Sequence, residues 1–122
     1  MFDDYSPIYR QIAERIKADI MSGALAEDTQ VMSTNEYAAT YRINPATAAK
    51  GLRELLDEGI LYKRRGIGMF VSPDARSRLR GDHRGRFFTD VVDPMIKEAR
   101  TIGIPLTDVV DHIHKAETGE NS

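Results

Sequence analysis

Ser33-Thr34-Asn35-Glu36-Tyr37-Ala38-Ala39-Thr40-Tyr41-Arg42-Ile43-Asn44-Pro45-Ala46-Thr47-Ala48 holds two helix starts in quick succession. Ser33 and Glu36 have capping-box spacing, in which each side chain satisfies a backbone N–H of the other residue. Asn44-Pro45 repeats the logic in another form, with an acceptor side chain followed by a proline that has no N–H to lose. The helix that opens at Ser33 therefore has room only from about Thr34 to Tyr41 before the next begins. Two helices that close together make a tight helical corner.

Working outward, the helix after Pro45 carries Ala48, Leu52, Leu55 and Leu56 on one side. Ala46, Lys50, Arg53 and Asp57 fall on the other at 100° per residue, and Gly59 ends it. Upstream, Ser6-Pro7 reads as cap and first helical residue. Ile8, Ile12, Ile16 and Ile20 form a core-facing stripe that Gly23 closes. Downstream, Ile60-Leu61-Tyr62-Lys63 and Met69-Phe70-Val71-Ser72 flank a glycine-bearing turn, a hairpin signal. Helix, helix corner and hairpin in that order predict a winged helix-turn-helix domain over residues 1–73, mostly α with one small β-hairpin.

Past Ser72-Pro73-Asp74, a polar and basic run leads to apolar residues at helical spacing: Phe88, Val91, Val92, Met95, Ala99 and Ile102. Pro94 inside that stripe should kink it, and Gly81 and Gly85 weaken any helix upstream. Gly103 and Pro105 break the chain before a last helix marked by Leu106, Val109, Val110 and Ile113. Residues 74–117 thus form a short two-helix segment and 118–122 a frayed end. Two amphipathic helices of this size do not stand alone. The expected cover is a second copy of the chain, giving a homodimer built around Phe88, Val92, Met95, Ile96, Val109 and Ile113; docking back onto the first helix is the alternative.

Composition narrows the function. The chain has 122 residues, no cysteine and a formal charge of −2. One small domain with an appendage fits that length; a large catalytic domain does not. The acidic N-terminus has no basic-then-apolar leader, and nowhere do eighteen apolar residues run together, so a cytoplasmic protein without membrane association is expected. Charge is segregated: Lys63 to Arg86 holds eight Lys or Arg against Asp74 and Asp82, whereas from Phe87 onward three cations face seven acids. A local positive field is compatible with the small negative total. His112 and His114 are two apart and point about 200° from each other on a helix, His83 has no orienting partner in sequence, and no carboxylate pair or nucleophile motif stands out. Gly66-Ile67-Gly68 lies between strands and lacks the third glycine of a dinucleotide fingerprint, and Met69-Phe70 occupies the place of a P-loop Lys-Ser/Thr. The expectation is therefore no enzyme, no cofactor and no metal.

The stretch from Ser6 to Ser72 resembles the GntR family of bacterial transcription regulators. Pro7-Ile8-Tyr9, Val31 to Ala38, Asn44-Pro45-Ala46-Thr47-Ala48-Ala49-Lys50, and Glu58 to Val71 match the family's first helix, its Leu-Pro-Ser-x-Arg-x-Leu-Ala segment, its recognition helix and its glycine-bearing wing. The Asn-Pro-x-Thr start and short tail are similar to the YtrA branch. The resemblance implies a dimeric DNA-binding regulator, commonly a repressor of its own operon, in this branch often one encoding an ABC transporter. Two positions depart from the pattern. Asn35 stands where the family has an arginine, so it offers only a neutral bond to the DNA backbone, and Ile67 stands between the wing glycines where a cation is common.

By position, Asn44, Ala46, Thr47 and Lys50 are the expected base readers of a recognition helix. Arg53, Tyr9, Ser33, Asn35, Arg42, Arg64 and Arg65 are the expected positioning set on phosphate, and Gly66 and Gly68 make the wing turn. The expected partner is a palindromic duplex bound by the homodimer. A small, largely apolar effector, should one exist, would bind at the dimer seam or between the tail and the DNA-binding domain. The competing class is a winged-helix module for protein or RNA.

Overall fold

The structure, a computed structural model, describes residues 6–119. They run α1 (Ile8–Ser22), α2 (Thr34–Tyr41), α3 (Pro45–Asp57), β1 (Leu61–Arg64), β2 (Gly68–Val71), α4 (Ala75–Phe87), a π-helical turn (Phe88–Val92), α5 (Asp93–Ile102) and α6 (Leu106–Thr118). Two compact units divide in sequence between Gly81 and Asp82.

In the first unit both helix starts of the corner form as read. Ser33 Oγ accepts from Glu36 N at 3.1 Å while Glu36 Oε1 accepts from Ser33 N at 2.9 Å. The bond from the Ser33 backbone N–H, and after it one from the Ser33 side chain, hold the Glu36 carboxyl below its ordinary pKa. Asn44 Oδ1 accepts from Ala46 N at 2.8 Å, with Pro45 in the first turn. The start of α1 differs from expectation. Pro7 itself is the cap and no side chain caps it; its carbonyl accepts from Arg10 N and Gln11 N. Ser6 contributes its carbonyl to Gln11 Nε2 at 2.7 Å.

Ile12, Ile16 and Ile20 of α1 meet Ala48, Leu52 and Leu55 of α3 in one buried cluster with Tyr37, Ala38, Leu61 and Val71. Ile8, the first residue of the stripe, stays 40% exposed. Gly51 lets α1 and α3 approach closely: a Cβ there would lie 2.7 Å from the Tyr9 carbonyl oxygen. Gly51→Ala should gain about 1 kcal/mol of helix propensity and lose about 1–3 kcal/mol to overpacking against rigid backbone. The expected net result is a lower melting temperature, read by thermal unfolding.

β1 and β2 pair antiparallel with Leu61 opposite Val71 and Arg64 opposite Gly68, each strand within one residue of the expected run. The segment before α2 joins them, which no local pattern announces. Asp28 N donates to Val71 O (2.7 Å), Val71 N to Thr29 O (3.0 Å) and Val31 N to Met69 O (2.9 Å), with an antiparallel bridge from Gln30 to Phe70.

Two cations of the basic stretch serve the fold. Arg76 Nε donates to Met21 O at 3.1 Å near the end of α1. The Arg78 guanidinium donates to Glu58 O (2.8 Å) and Gly59 O (3.1 Å) at the end of α3. Both neutralise helix C-termini, where carbonyls lack partners and the dipole is negative. Ala75 and Leu79, beside them on α4, are buried in the same core.

In the second unit the break expected at Pro94 takes another form. Pro94 sits in the first turn of α5, and just ahead the helix widens so that Asp93 N reaches back to Phe88 O. Gly81 and Gly85 both lie inside α4 without ending it. Gly103 closes α5 in the left-handed conformation and Pro105 caps α6. Thr118 is the last residue of α6; the rest of the expected frayed end, from residue 120, lies outside the described residues. No helix among the described residues is long and apolar enough to cross a membrane.

Candidate nucleic-acid interface

The N-terminus of α2, the flank of α3 that carries Ala49, Leu52, Arg53 and Leu56, and the inner face of the hairpin border a concavity of about 390 Å³ lined also by Ser33, Thr34, Asn35, Lys63, Ile67 and Gly68. Three successive elements thus bring two cations to a helix N-terminus, whose first N–H groups point outward. The capping box takes one of them, Glu36 N, on Ser33 Oγ, and the Glu36 carboxylate, which accepts the N–H of the cap residue Ser33, adds a negative charge close by. Attraction for an anion must therefore come mainly from Arg53 and Lys63.

Lys63 lines the concavity although it was not among the residues expected there; strand alternation separates it from Arg64, and packing decides which of the two borders the concavity. Lys63 pairs with Met69 and shares a strand face with buried Leu61, whereas Tyr62 and Arg64 occupy the other face. There Arg64 is stacked at 4.8 Å from the Phe70 ring centre, with the Tyr62 ring 5.7 Å from that of Phe70 and the Tyr62 hydroxyl donating to Asp28 at 3.0 Å. Arg64 is thus outside the concavity. Arg65 lies exposed in the turn, where Ile67 N donates to Arg64 O at 3.0 Å and Gly66 takes φ 76°.

Along α3 a second, shallower hollow of about 510 Å³ is lined by Ala46, Ala49, Lys50, Arg53, Glu54 and Asp57. Its charges are ordered: the end nearest Asn44 is neutral or cationic, and the far end carries Glu54 and Asp57. A polyanion is admitted at the first and repelled at the second. Lys50 Nζ lies 4.1 Å from the Tyr9 ring centre, so two residues assigned separate tasks from sequence touch each other. That contact is worth about 0.5–1 kcal/mol at an exposed site, weak enough for Lys50 to exchange it for a charged or bidentate partner. Tyr9 also faces Arg10, whose guanidinium approaches Glu54 at 3.9 Å.

Arg42 closes α2 with φ 56° and ψ 51°. A non-glycine residue in that conformation costs about 1 kcal/mol relative to glycine. The turn between the two corner helices therefore holds an exposed cation where backbone geometry alone would favour none. Asn44 and Ala46 are exposed and Thr47 half-buried at the start of α3. Among the described residues no cluster of three or more His, Cys, Asp or Glu could hold a metal ion.

This arrangement has known counterparts. Residues 8–71 match the pattern of the bacterial regulatory proteins of the gntR family. The chain belongs to that family. Among curated relatives, the HTH-type transcriptional repressor NagR of Bacillus subtilis is 36% identical over 84% of the chain and 40% of its own length. The HTH-type transcriptional repressor YtrA of the same organism is 34% identical over 61% of the chain and 57% of its own length. The chain spans about half the length of these two gntR relatives. A GntR family transcriptional regulator from Listeria monocytogenes superposes with a TM-score of 0.74 at 28% identity, covering 93% of this chain and 98% of that one. The AraR DNA-binding domain in complex with operator ORX1 superposes with a TM-score of 0.55 at 27% identity, covering 59% of this chain and 93% of that one. The family and the winged-helix fold expected from sequence both hold.

Proposed function

We propose that this gntR-family chain is a cytoplasmic transcription regulator, acting as a repressor, that binds an inverted-repeat operator as a homodimer. The observation that carries the reading is that Arg53, Lys63 and the α2 N-terminus line one concavity, and that Arg53 also lines the neighbouring hollow along α3 with Lys50. The operator complex of the AraR domain, which shares this fold, supports duplex DNA as the polyanion.

In this reading Asn44, Ala46, Thr47 and Lys50 face base edges from the start of α3. Arg53, Lys63, Ser33, Asn35, Arg42 and Arg65 rest on phosphate, giving affinity and salt dependence without sequence information. Arg53 and Lys63 supply the charge absent at Asn35. Lys50→Ala should weaken specific binding by about 1–3 kcal/mol and relax preference at one base pair. Arg65→Ala should weaken all sequences alike and lower the salt slope by about one. Anisotropy titrations on matched and single-substituted duplexes read both effects.

The homodimer rests on the second unit taken by itself. There Phe88 is 63%, Ile102 64% and Ile113 50% exposed, and among its described residues only Ala99 is a buried hydrophobic. Val92, Met95, Ile96 and Val109 are half-buried beside them. So much apolar surface on so few residues calls for a partner, and a second copy supplies a matching face under two-fold symmetry. A small apolar effector would act by changing the spacing of the two heads. Selection from random duplex DNA at moderate salt tests the whole: an enriched inverted repeat is expected, and no enrichment would favour a protein- or RNA-binding module.

A further inference from the structure

The wing tip turns on two glycines. Gly66 and Gly68 both have positive φ, at 76° and 147°, and the segment before α2 pairs with β2 rather than with the turn itself. Its position relative to α2 and α3 sets how wide the anion-binding concavity is. One side chain from outside the hairpin reaches this tip: Gln30 Nε2 donates to Ile67 O at 3.0 Å. Gly68 leaves the space for it, because a Cβ at Gly68 would fall 2.5 Å from Gln30 Nε2. The Gln30 backbone is bridged to Phe70 of β2 and lies three residues before Ser33, the cap of α2. Gln30 therefore ties the wing tip to the segment that leads directly into α2, and both line the same concavity.

We propose that Gln30 is a positioning residue for DNA binding, holding the wing tip at the spacing from α2 at which Lys63, Arg53 and the α2 N–H groups meet one phosphate together. The assignment rests on the DNA-binding reading. It accounts for Gly68 in terms of room for an amide as well as turn geometry, and it lets an apolar Ile67 sit at the tip, since the tip is placed by its carbonyl and not by a charged side chain.

The test uses the full chain, a short mixed-sequence DNA duplex at low salt, and Gln30→Met, which keeps length and loses the donor. In the free protein, ¹⁵N order parameters at Ile67 and Gly68 should fall while the melting temperature drops by no more than the few degrees that one hydrogen bond is worth. Duplex affinity should fall about two- to tenfold, the equivalent of one hydrogen bond's contribution. Gly68→Ala, which puts a methyl group where the amide lies, should also weaken binding, and adding Gln30→Met to it should cost nothing more. Unchanged order parameters at the tip, or unchanged affinity, would overturn the assignment. So would losses that multiply in the double variant, because Gln30 would then be touching DNA directly. A wild-type protein that binds no duplex overturns the DNA-binding reading itself and is distinguishable at once, since the variants are then never the cause.

Discussion

Arg53→Glu combined with Lys63→Glu is expected to weaken duplex binding by about 100-fold or more and to lower the dependence of log affinity on log salt by about two. Each hydrogen bond to a charged group contributes about 1.5–3 kcal/mol, so two lost together correspond to roughly 3–6 kcal/mol, or factors of about 10² to 10⁴. The effect should be large because these two side chains carry the positive charge of the concavity, while the Glu36 carboxylate is bonded to Ser33, one of its lining residues. Folding should be little affected: both residues are exposed, and substitutions at such sites usually stay within about 0.5 kcal/mol. Anisotropy at several salt concentrations, with thermal unfolding as control, measures all three quantities. Arg64→Glu is the informative comparison. Arg64 is stacked on Phe70 on the other face of the hairpin, so it should change the salt slope less than either member of the pair. An unaltered slope in the double variant would mean that phosphate does not enter between α2 and the wing.

Val110→Asp with Ile113→Asp is expected to convert the chain from dimer to monomer at micromolar concentration and to reduce affinity for an inverted repeat to that of a single head. The two residues lie three apart on α6, on one face, and are 49% and 50% exposed within the single chain. Placing carboxylates there costs the isolated chain little. In a dimer seam the same carboxylates would be desolvated without partners, at several kcal/mol each. Losing the second head removes the effective-concentration advantage of two linked sites, which is about 10² or more. Sedimentation velocity reads the first effect and operator titration the second. A wild-type chain that sediments as a monomer, or a variant that remains dimeric with undiminished operator affinity, would remove the interface from this face.

Much of the first unit was legible because its signals are local. The Ser33–Glu36 box and the Asn44-Pro45 start act within one helical turn, so α2 and α3 begin where their residues say they must. The isoleucine stripe of α1 needed only periodicity, although Ile8 at its end remains exposed and Ser6 does not cap. Less was legible where a residue's role depends on a distant chain segment. Arg76 and Arg78 belong to a basic run in sequence and to the C-termini of α1 and α3 in space. Lys63 and Arg64 are adjacent cations with opposite placements, since successive strand residues face opposite sides and only packing decides which side borders the concavity. The π-helical turn before Pro94 was equally hidden: a proline predicts a disturbance, not whether the helix breaks or widens.

By itself, then, the amino-acid sequence determined the element order from α1 to β2, the family pattern over residues 8–71 and the identity of the helix that presents Lys50, whereas the expected two-helix segment after it is α4, a π-helical turn, α5 and α6. Caps, prolines, glycines and hydrophobic period act within a few residues and need no knowledge of what lies opposite. Tertiary structure alone decided that Gln30 donates to Ile67 of the wing, that Lys50 rests on Tyr9 and that Arg53 and Lys63 share one concavity. Each of those facts joins residues from separate elements, and such a pairing exists only once the core has set the distance between them.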